Sequence, residues 1–247
     1  MQQFEVPIKV PVDPDANTTD LLVERVRQTP DAALFAIPTG DGGWSDVSAR
    51  EFHRQVIALA KGLVANGIEP GDKIGLMAKT SYEWTLIDFA TWFAGAVLVP
   101  IYDTNAPSQI HWNLIDSGAV AIITENADHA ARFDEIRADV PLVRSVWRLD
   151  LGDLDKIAAA GTGVADEEIE RRRKLAKGSD LATLIYTSGS TGKPKGCVIT
   201  HTNFVALSQN AQAAIPEVVN PDSSTLLFIT LAHIFARFIS VLSIAGG

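Results

Sequence analysis

Residues 186–196 read YTSGSTGKPKG, set between the apolar runs LATLIY and CVIT. Glycines at 189, 192 and 196 allow backbone conformations closed to other residues and let amides approach a ligand closely, which makes an anion-binding concavity. Thr187, Ser188, Ser190 and Thr191 add hydroxyl donors, and Lys193 and Lys195 add charge. This is the set a polyphosphate needs: many donors, no neighbouring carboxylate, and cations to offset a charge that amides cannot neutralise. It is not a Walker A loop. The pattern G-x-x-x-x-G-K-[ST] would need glycine where Thr187 stands and a hydroxyl residue where Pro194 stands. A plain flexible turn is the bland alternative, but the order of Ser, Thr, Gly, Pro and Lys is more specific than a linker.

A second stretch, LAHIFARF at 231–238, follows the apolar run TLLFI. The expectation is a buried strand leading into a helix that lines a cleft. A histidine on an apolar face is ordinarily a core residue, and only the loop upstream gives His233 a stronger reading. Arg237, one turn on, suits a phosphate or a structural ion pair equally and is left unassigned. Cys197, directly after the loop, reads as a small buried hydrophobe rather than a nucleophile. Trp84 and Trp92 fall on one helical stripe and read as core.

These residues need a scaffold, and the chain has enough apolar material for one: 247 residues, 47% hydrophobic. The formal charge of -9 argues against nucleic acid as a partner. A single cysteine excludes an internal disulfide and a Cys-rich metal site and fits a reducing compartment, with the cytoplasm as default. The start, MQQFEVPIKV, lacks the pattern of a signal peptide. Two apolar segments, 84–102 and 225–247, are long enough to cross a bilayer. Asp88, Pro100, His233 and Arg237 interrupt them where lipid would penalise it, so buried helix plus strand is the expectation.

Along the chain, helix and strand signals alternate. Residues 17–19 cap the helix DLLVERVRQ, a strand follows at 33–37, and a GDGG turn leads to a short strand. Ser48 and Glu51 have capping-box spacing for a helix ended by Gly67. KIGLMA then reads as a strand, Ser81 caps a helix through Ala94, and VLVPIY is the next strand. A helix from Pro107 to 117–118 and the strand AVAIITE come after it. A helix at 128–138 and a strand at 143–149 extend the pattern. DEEIERRRK reads as a solvated connection. After the loop, Thr200 or Thr202 caps a helix to about Ala214. The fold class is therefore α/β, a largely parallel sheet with crossover helices.

The loop resembles the phosphate-loop signature of the adenylate-forming superfamily: acyl-CoA synthetases, peptide-synthetase adenylation domains and firefly-type luciferases. With GDKIGLMAKTSYEWTLIDFATWFAGAVLVPIYDT, GCVITH and LAHIFARF, the chain is most similar to bacterial long-chain fatty-acyl-CoA synthetases over nearly its whole length. The resemblance implies activation of a fatty acid with ATP and Mg2+ to an acyl-adenylate, then transfer to coenzyme A. It implies that Thr187 helps hold metal and phosphates and that Ser188, Gly189, Ser190, Thr191, Gly192 and Lys195 bind the nucleotide. Lys195 is preferred to Lys193, which occupies a variable place in the motif. His233 would place the carboxylate and α-phosphate, with Phe235 as a pocket wall. Thr230 departs from the family, which usually has proline there.

In the family, the adenine-contacting segment, a second metal ligand, the ribose-binding aspartate and a small C-terminal domain with its catalytic lysine come later. Residues 1–247 thus resemble the N-terminal part of the large domain, incomplete at its C-terminal end. The expectation is no turnover by this chain alone and an apolar edge left open. Two alternatives remain: adenylation of an aryl or amino acid, and a non-catalytic ATP-binding module. Handling insoluble acids allows peripheral contact at the inner face of the membrane, although no basic amphipathic helix argues for it.

Overall fold

A computed structural model describes residues 7–187 and 192–246. The chain begins with helix α1 (Thr18–Gln28), capped by the Asn17 side chain accepting from the Thr19 amide, and a hairpin of β1 (Ala33–Pro38) and β2 (Trp44–Ser48). Helix α2 (Ala49–Ala65) starts at Ser48, whose hydroxyl accepts from the Glu51 amide. Only half of the expected capping box forms, because the Glu51 carboxylate instead accepts from Arg54 and Gln55.

The central sheet follows. Strands β3 (Lys73–Met77), β4 (Val97–Ile101), β5 (Ala121–Thr124) and β6 (Ser145–Arg148) are joined by helices α3 (Tyr82–Phe93), α4 (Pro107–Ser117) and α5 (Ala127–Asp134). Helices α6 (Asp153–Ala160) and α7 (Asp166–Arg173) lead to β7 (Leu181–Thr187), β8 (Lys195–Thr200) and α8 (His201–Ala214). The strand order is β6-β5-β3-β4-β7-β8. All neighbours are parallel except β7 and β8, which form an antiparallel hairpin at one edge.

The middle strands are buried on both faces, as parallel strands covered by crossover helices must be. Alternation splits their side chains between two cores. Ala121 and Ile123 join the larger core with α1, α2 and α3, while Ile122 joins Met77, Ile101, Ile110, Leu114 and Phe133 in a smaller one under α4 and α5. Trp84 and Trp92 are core residues, as expected. The apolar segment at 84–102 resolves into α3 plus β4. Among the described residues no helix is long and apolar enough to cross a membrane.

Three sequence expectations are corrected. Residues 225–229 form no strand and are not buried: Leu226 is 73% and Phe228 79% exposed. Cys197 is exposed, as is Val198 on the opposite face, because edge strand β8 is open on both faces there. The charged block is helical but not merely solvated. Arg172 donates to the Ile68 carbonyl (2.7 Å), and Arg173 reaches Asp20 (2.7 Å), so α7 ties α1 to the end of α2.

The last helix, α9 (Ile234–Gly246), is held by an arginine at each end. Near its start Arg237 is fully buried, donating through Nε to Asp88 (2.7 Å), through a second nitrogen to the other carboxylate oxygen, and to the Thr183 hydroxyl (2.5 Å). Its guanidinium carbon lies 5.4, 5.1 and 5.5 Å from the ring centres of Trp84, Trp92 and Phe204. At the far end Arg25 donates to the carbonyls of Ile244 and Ala245 (2.9 Å each), which closing helix turns leave without intrahelical partners. Burial pushes the Asp88 carboxyl up, and the Arg237 charge and hydrogen bonds work against it. Removing one partner strands the other charge in the core, at a cost of about 3–5 kcal/mol. Asp88→Asn and Arg237→Met should each lower urea-unfolding stability by that order, while the double variant should lose clearly less than the sum; additive losses would show that the pair is not coupled.

Candidate functional site

The carboxyl ends of β3, β4 and β7 form one edge of the sheet. Met77 pairs with Ile101, and the Leu98–Thr183 register puts Tyr186 level with Ile101 and Thr187 one residue beyond it. Ligands of open parallel sheets bind outside this edge. The glycine-rich stretch leaves from it as the loop of the β7–β8 hairpin, with Thr187 and Lys195 as direct cross-strand partners. Sequence alone put both residues in the loop; pairing makes them its neck, on opposite sides. Ser188, Gly189, Ser190 and Thr191 lie outside the described residues.

Gly192 has φ +133°, a conformation that side chains disfavour. Gly196 has no such φ, and its requirement is space. An added Cβ would stand 3.3 Å from Cζ of Tyr186, the residue it pairs with. The hairpin is braced from beneath by α4. The Tyr186 hydroxyl donates to Asp116 (2.7 Å), and Trp112 Nε1 donates to the Pro194 carbonyl (2.7 Å). Lys193 Nζ sits 4.1 Å from the centre of the Trp112 ring, within cation–π range. Asp116 is thus a carboxylate under the hairpin, and it is occupied. None of these α4 contacts was foreseen from sequence; aromatic and acidic residues at i, i+4 spacing on one helix face were the available signal.

LAHIFARF is delivered to the same edge by Thr80, just after β3. Its hydroxyl donates to the Ile229 carbonyl (2.8 Å) and accepts from the Leu231 amide (3.0 Å). His233 then opens α9, as expected of this motif: its Nδ1 accepts from the Phe235 amide (3.3 Å) and its carbonyl from the Arg237 amide (3.2 Å). His233 is exposed, and no hydrogen bond among the described residues joins it to Thr187 or Lys195. Phe235 is 55% exposed, so it walls no closed pocket here. The unassigned Arg237 proves to be the buried structural cation described above.

A cavity of about 600 Å³ opens at the carboxyl ends of β3, β4 and β5, lined in part by Lys79, Asp103, Asn105, His129 and Arg132. It holds none of the residues expected from sequence. Arg132 donates to the Asp103 carbonyl (2.7 Å) and pairs with Asp128, which fixes the loop between β4 and α4. The residues that the sequence offers for a polyphosphate belong to the hairpin, not to this cavity. For a metal ion, no group of three His, Cys, Asp or Glu side chains is arranged to hold one among the described residues. Thr187 therefore fits Mg2+ only as a single ligand to an ion held mainly by phosphate oxygens.

A doubly covered α/β sheet with a glycine- and hydroxyl-rich, lysine-bearing hairpin at its carboxyl edge has the form of a nucleotide-binding domain. The chain belongs to the AMP-binding enzyme family, whose sequence model matches residues 22–247. It is 37% identical over 244 residues to the long-chain-fatty-acid–CoA ligase FadD15 of Mycobacterium bovis, an alignment covering 98% of this chain and 40% of the relative. It is 26% identical to the long-chain-fatty-acid–CoA ligase ACSBG2 of Xenopus laevis, over 92% of this chain and 32% of that one. The chain thus spans less than half the length of these relatives. Among solved structures, the inhibitor-bound N-terminal domain of FACL13 from Mycobacterium tuberculosis matches with TM-score 0.78 and 26% identity, over 94% of this chain and 55% of that one. VinN in complex with L-aspartate matches with TM-score 0.73 and 21% identity, over 94% and 61%, a likeness of fold alone.

One histidine fixes the junction behind the hairpin. His201, where β8 meets α8, is buried; its Nδ1 accepts from the Thr18 amide (3.3 Å) and lies 2.9 Å from the Thr18 hydroxyl. Burial first, with the Arg237 charge assisting and Asp180 opposing, pushes its pKa down to about 4 from 6.5. Between those values the unfolded chain binds the proton and the folded chain does not. Stability from this site is therefore complete above pH 6.5 and is lost as pH falls toward 4, by about 3 kcal/mol in all. His201→Gln should flatten the fall of Tm across that window; an unchanged slope would show that another group carries it.

Proposed function

We propose that this chain is the polyphosphate-binding N-terminal part of an AMP-forming long-chain fatty-acid–CoA ligase. The observation that carries the proposal is the hairpin neck, where Thr187 faces Lys195 at the carboxyl edge of the sheet. The 37% identity to FadD15 over nearly the whole chain supports a fatty acid as the substrate. A carboxylate is a poor electrophile, so the reaction joins it to a leaving group. A carboxylate oxygen attacks the α-phosphorus of ATP, the bond to the bridging oxygen breaks, and pyrophosphate departs with the electron pair. The thiol of coenzyme A then displaces AMP from the acyl carbon.

In this reading Lys195 and the hydroxyls from Thr187 to Thr191, with Gly192 opening the backbone, hold the β- and γ-phosphates and offset charge developing at phosphorus. Mg2+, when bound, would neutralise phosphate oxygens, with Thr187 as its protein ligand in this segment. His233, presented at the start of α9, would orient the carboxylate, with Phe235 beside the acyl chain once further protein covers it. The fold is shared with VinN, so it does not choose the acid. The choice rests on sequence likeness. An aryl- or amino-acid adenylating enzyme, or a non-catalytic ATP-binding module, would share this hairpin.

The test is ATP–pyrophosphate exchange dependent on added palmitate, run on this chain and on the same chain at its full natural length. Exchange at full length that requires palmitate is the expected result. Exchange driven by an amino or aryl acid but not by palmitate would replace the substrate class, and nucleotide binding without exchange would leave a binding module. Within the active protein, Lys195→Met and Thr187→Val should each reduce exchange by about tenfold or more, the scale of one charge-assisted hydrogen bond. Unchanged rates in both variants would remove the hairpin from the chemistry.

A further inference from the structure

Nothing in the sheet requires Trp112 to reach the hairpin. The β7–β8 ladder runs from Leu181–Thr200 to Thr187–Lys195, with its one irregularity at 181–183, far from the neck. Yet Trp112 and Asp116, one turn apart on α4, grip the two limbs separately: Asp116 takes the Tyr186 hydroxyl on the outgoing strand, and Trp112 takes the Pro194 carbonyl on the returning one.

The second grip has a specific geometric effect. The Pro194 carbonyl and the Lys195 amide belong to one planar peptide unit. Pro194 also has its φ fixed by its ring. Holding that carbonyl at 2.7 Å from the indole nitrogen therefore sets the direction in which the chain enters Lys195. The same indole carries Lys193 over its face at 4.1 Å, so the neighbouring cation is drawn toward α4. Two lysines two residues apart are thereby given different stations, one on the ring and one at the neck opposite Thr187.

We propose that Trp112 is a positioning residue for polyphosphate binding, acting through the Pro194–Lys195 peptide to aim Lys195. This rests on the polyphosphate reading of the hairpin. Trp112 touches no substrate; its indole N–H is the working group, and its face holds Lys193 aside.

The experiment is a double-mutant cycle read by calorimetric titration with magnesium pyrophosphate on the chain at full natural length. Trp112→Phe keeps an aromatic face and loses the donor. It should weaken pyrophosphate binding roughly tenfold in the wild-type background and less than twofold in a Lys195→Met background, since an interaction through Lys195 cannot be lost twice. A general structural role would give the same loss in both backgrounds and would overturn the proposal, as would no loss in either. If Trp112→Phe fails to fold, replacing Trp112 with benzothienylalanine exchanges only the N–H for sulfur and decides in the same way. Absence of pyrophosphate binding by the unaltered protein would sink this inference together with the reading beneath it. Binding that is strong and indifferent to Trp112 would sink this inference alone.

Discussion

A buried ion pair organises this structure. Arg237 and Asp88 are 149 residues apart in sequence, and their contact is made only when α9, α3 and β7 meet. Because each charge is costly without the other, arrangements of these three elements that separate the pair are disfavoured. Thr183 on β7, four residues before the hairpin neck, accepts from the third guanidinium nitrogen, and aromatic rings surround the group. The ring faces favour the cation, and the carboxylate fixes its orientation. Through this one contact the helix that begins at His233 is referenced to the strand that ends at Thr187.

The carboxyl edge is then held largely by short polar fastenings, with Leu231 among the apolar residues packed behind it. Thr80 holds residues 229–231 with a donated and an accepted bond, Arg132 holds the loop after β4, and α4 holds both limbs of the hairpin. This division of labour is physically sensible. A ligand edge must stay wet and concave, so its parts are placed by directional bonds, while the layers behind are placed by packing. Donors held in place in this way need little reorganisation when charge develops near them.

Much of this was legible in the residues. Capping and stop signals at Ser48, Gly67, Ser81, Pro107 and Gly118 located helices closely, because those rules are local. The family likeness followed from the loop and LAHIFARF. What failed was whatever depends on neighbours. TLLFI reads as a strand by composition, yet among the described residues it pairs with no strand and is largely exposed. Cys197 reads as buried because its neighbours are apolar, yet on edge strand β8 both it and Val198 are open to solvent. DEEIERRRK reads as solvated, yet two of its arginines are buried and reach the Ile68 carbonyl and the half-buried Asp20 carboxylate. The brace at Trp112 was invisible for the same reason: its partner, the Pro194 carbonyl, is 82 residues away and has no side-chain signal.

The hairpin neck also bears on how the protein assembles. Pairing of β7 with β8 closes a loop of only a few residues, whereas every parallel neighbour in the sheet must wait for a crossover helix to return the chain. The β7–β8 hairpin is therefore the part of the sheet with the lowest entropic cost of closure. It can acquire its internal register as a local unit. Its orientation rests on α4, from the earlier half of the chain, which packs beneath it. Shape and aim are thus set by contacts of very different range, so the loop's own sequence can vary in detail while the direction of its neck stays with the distant helix.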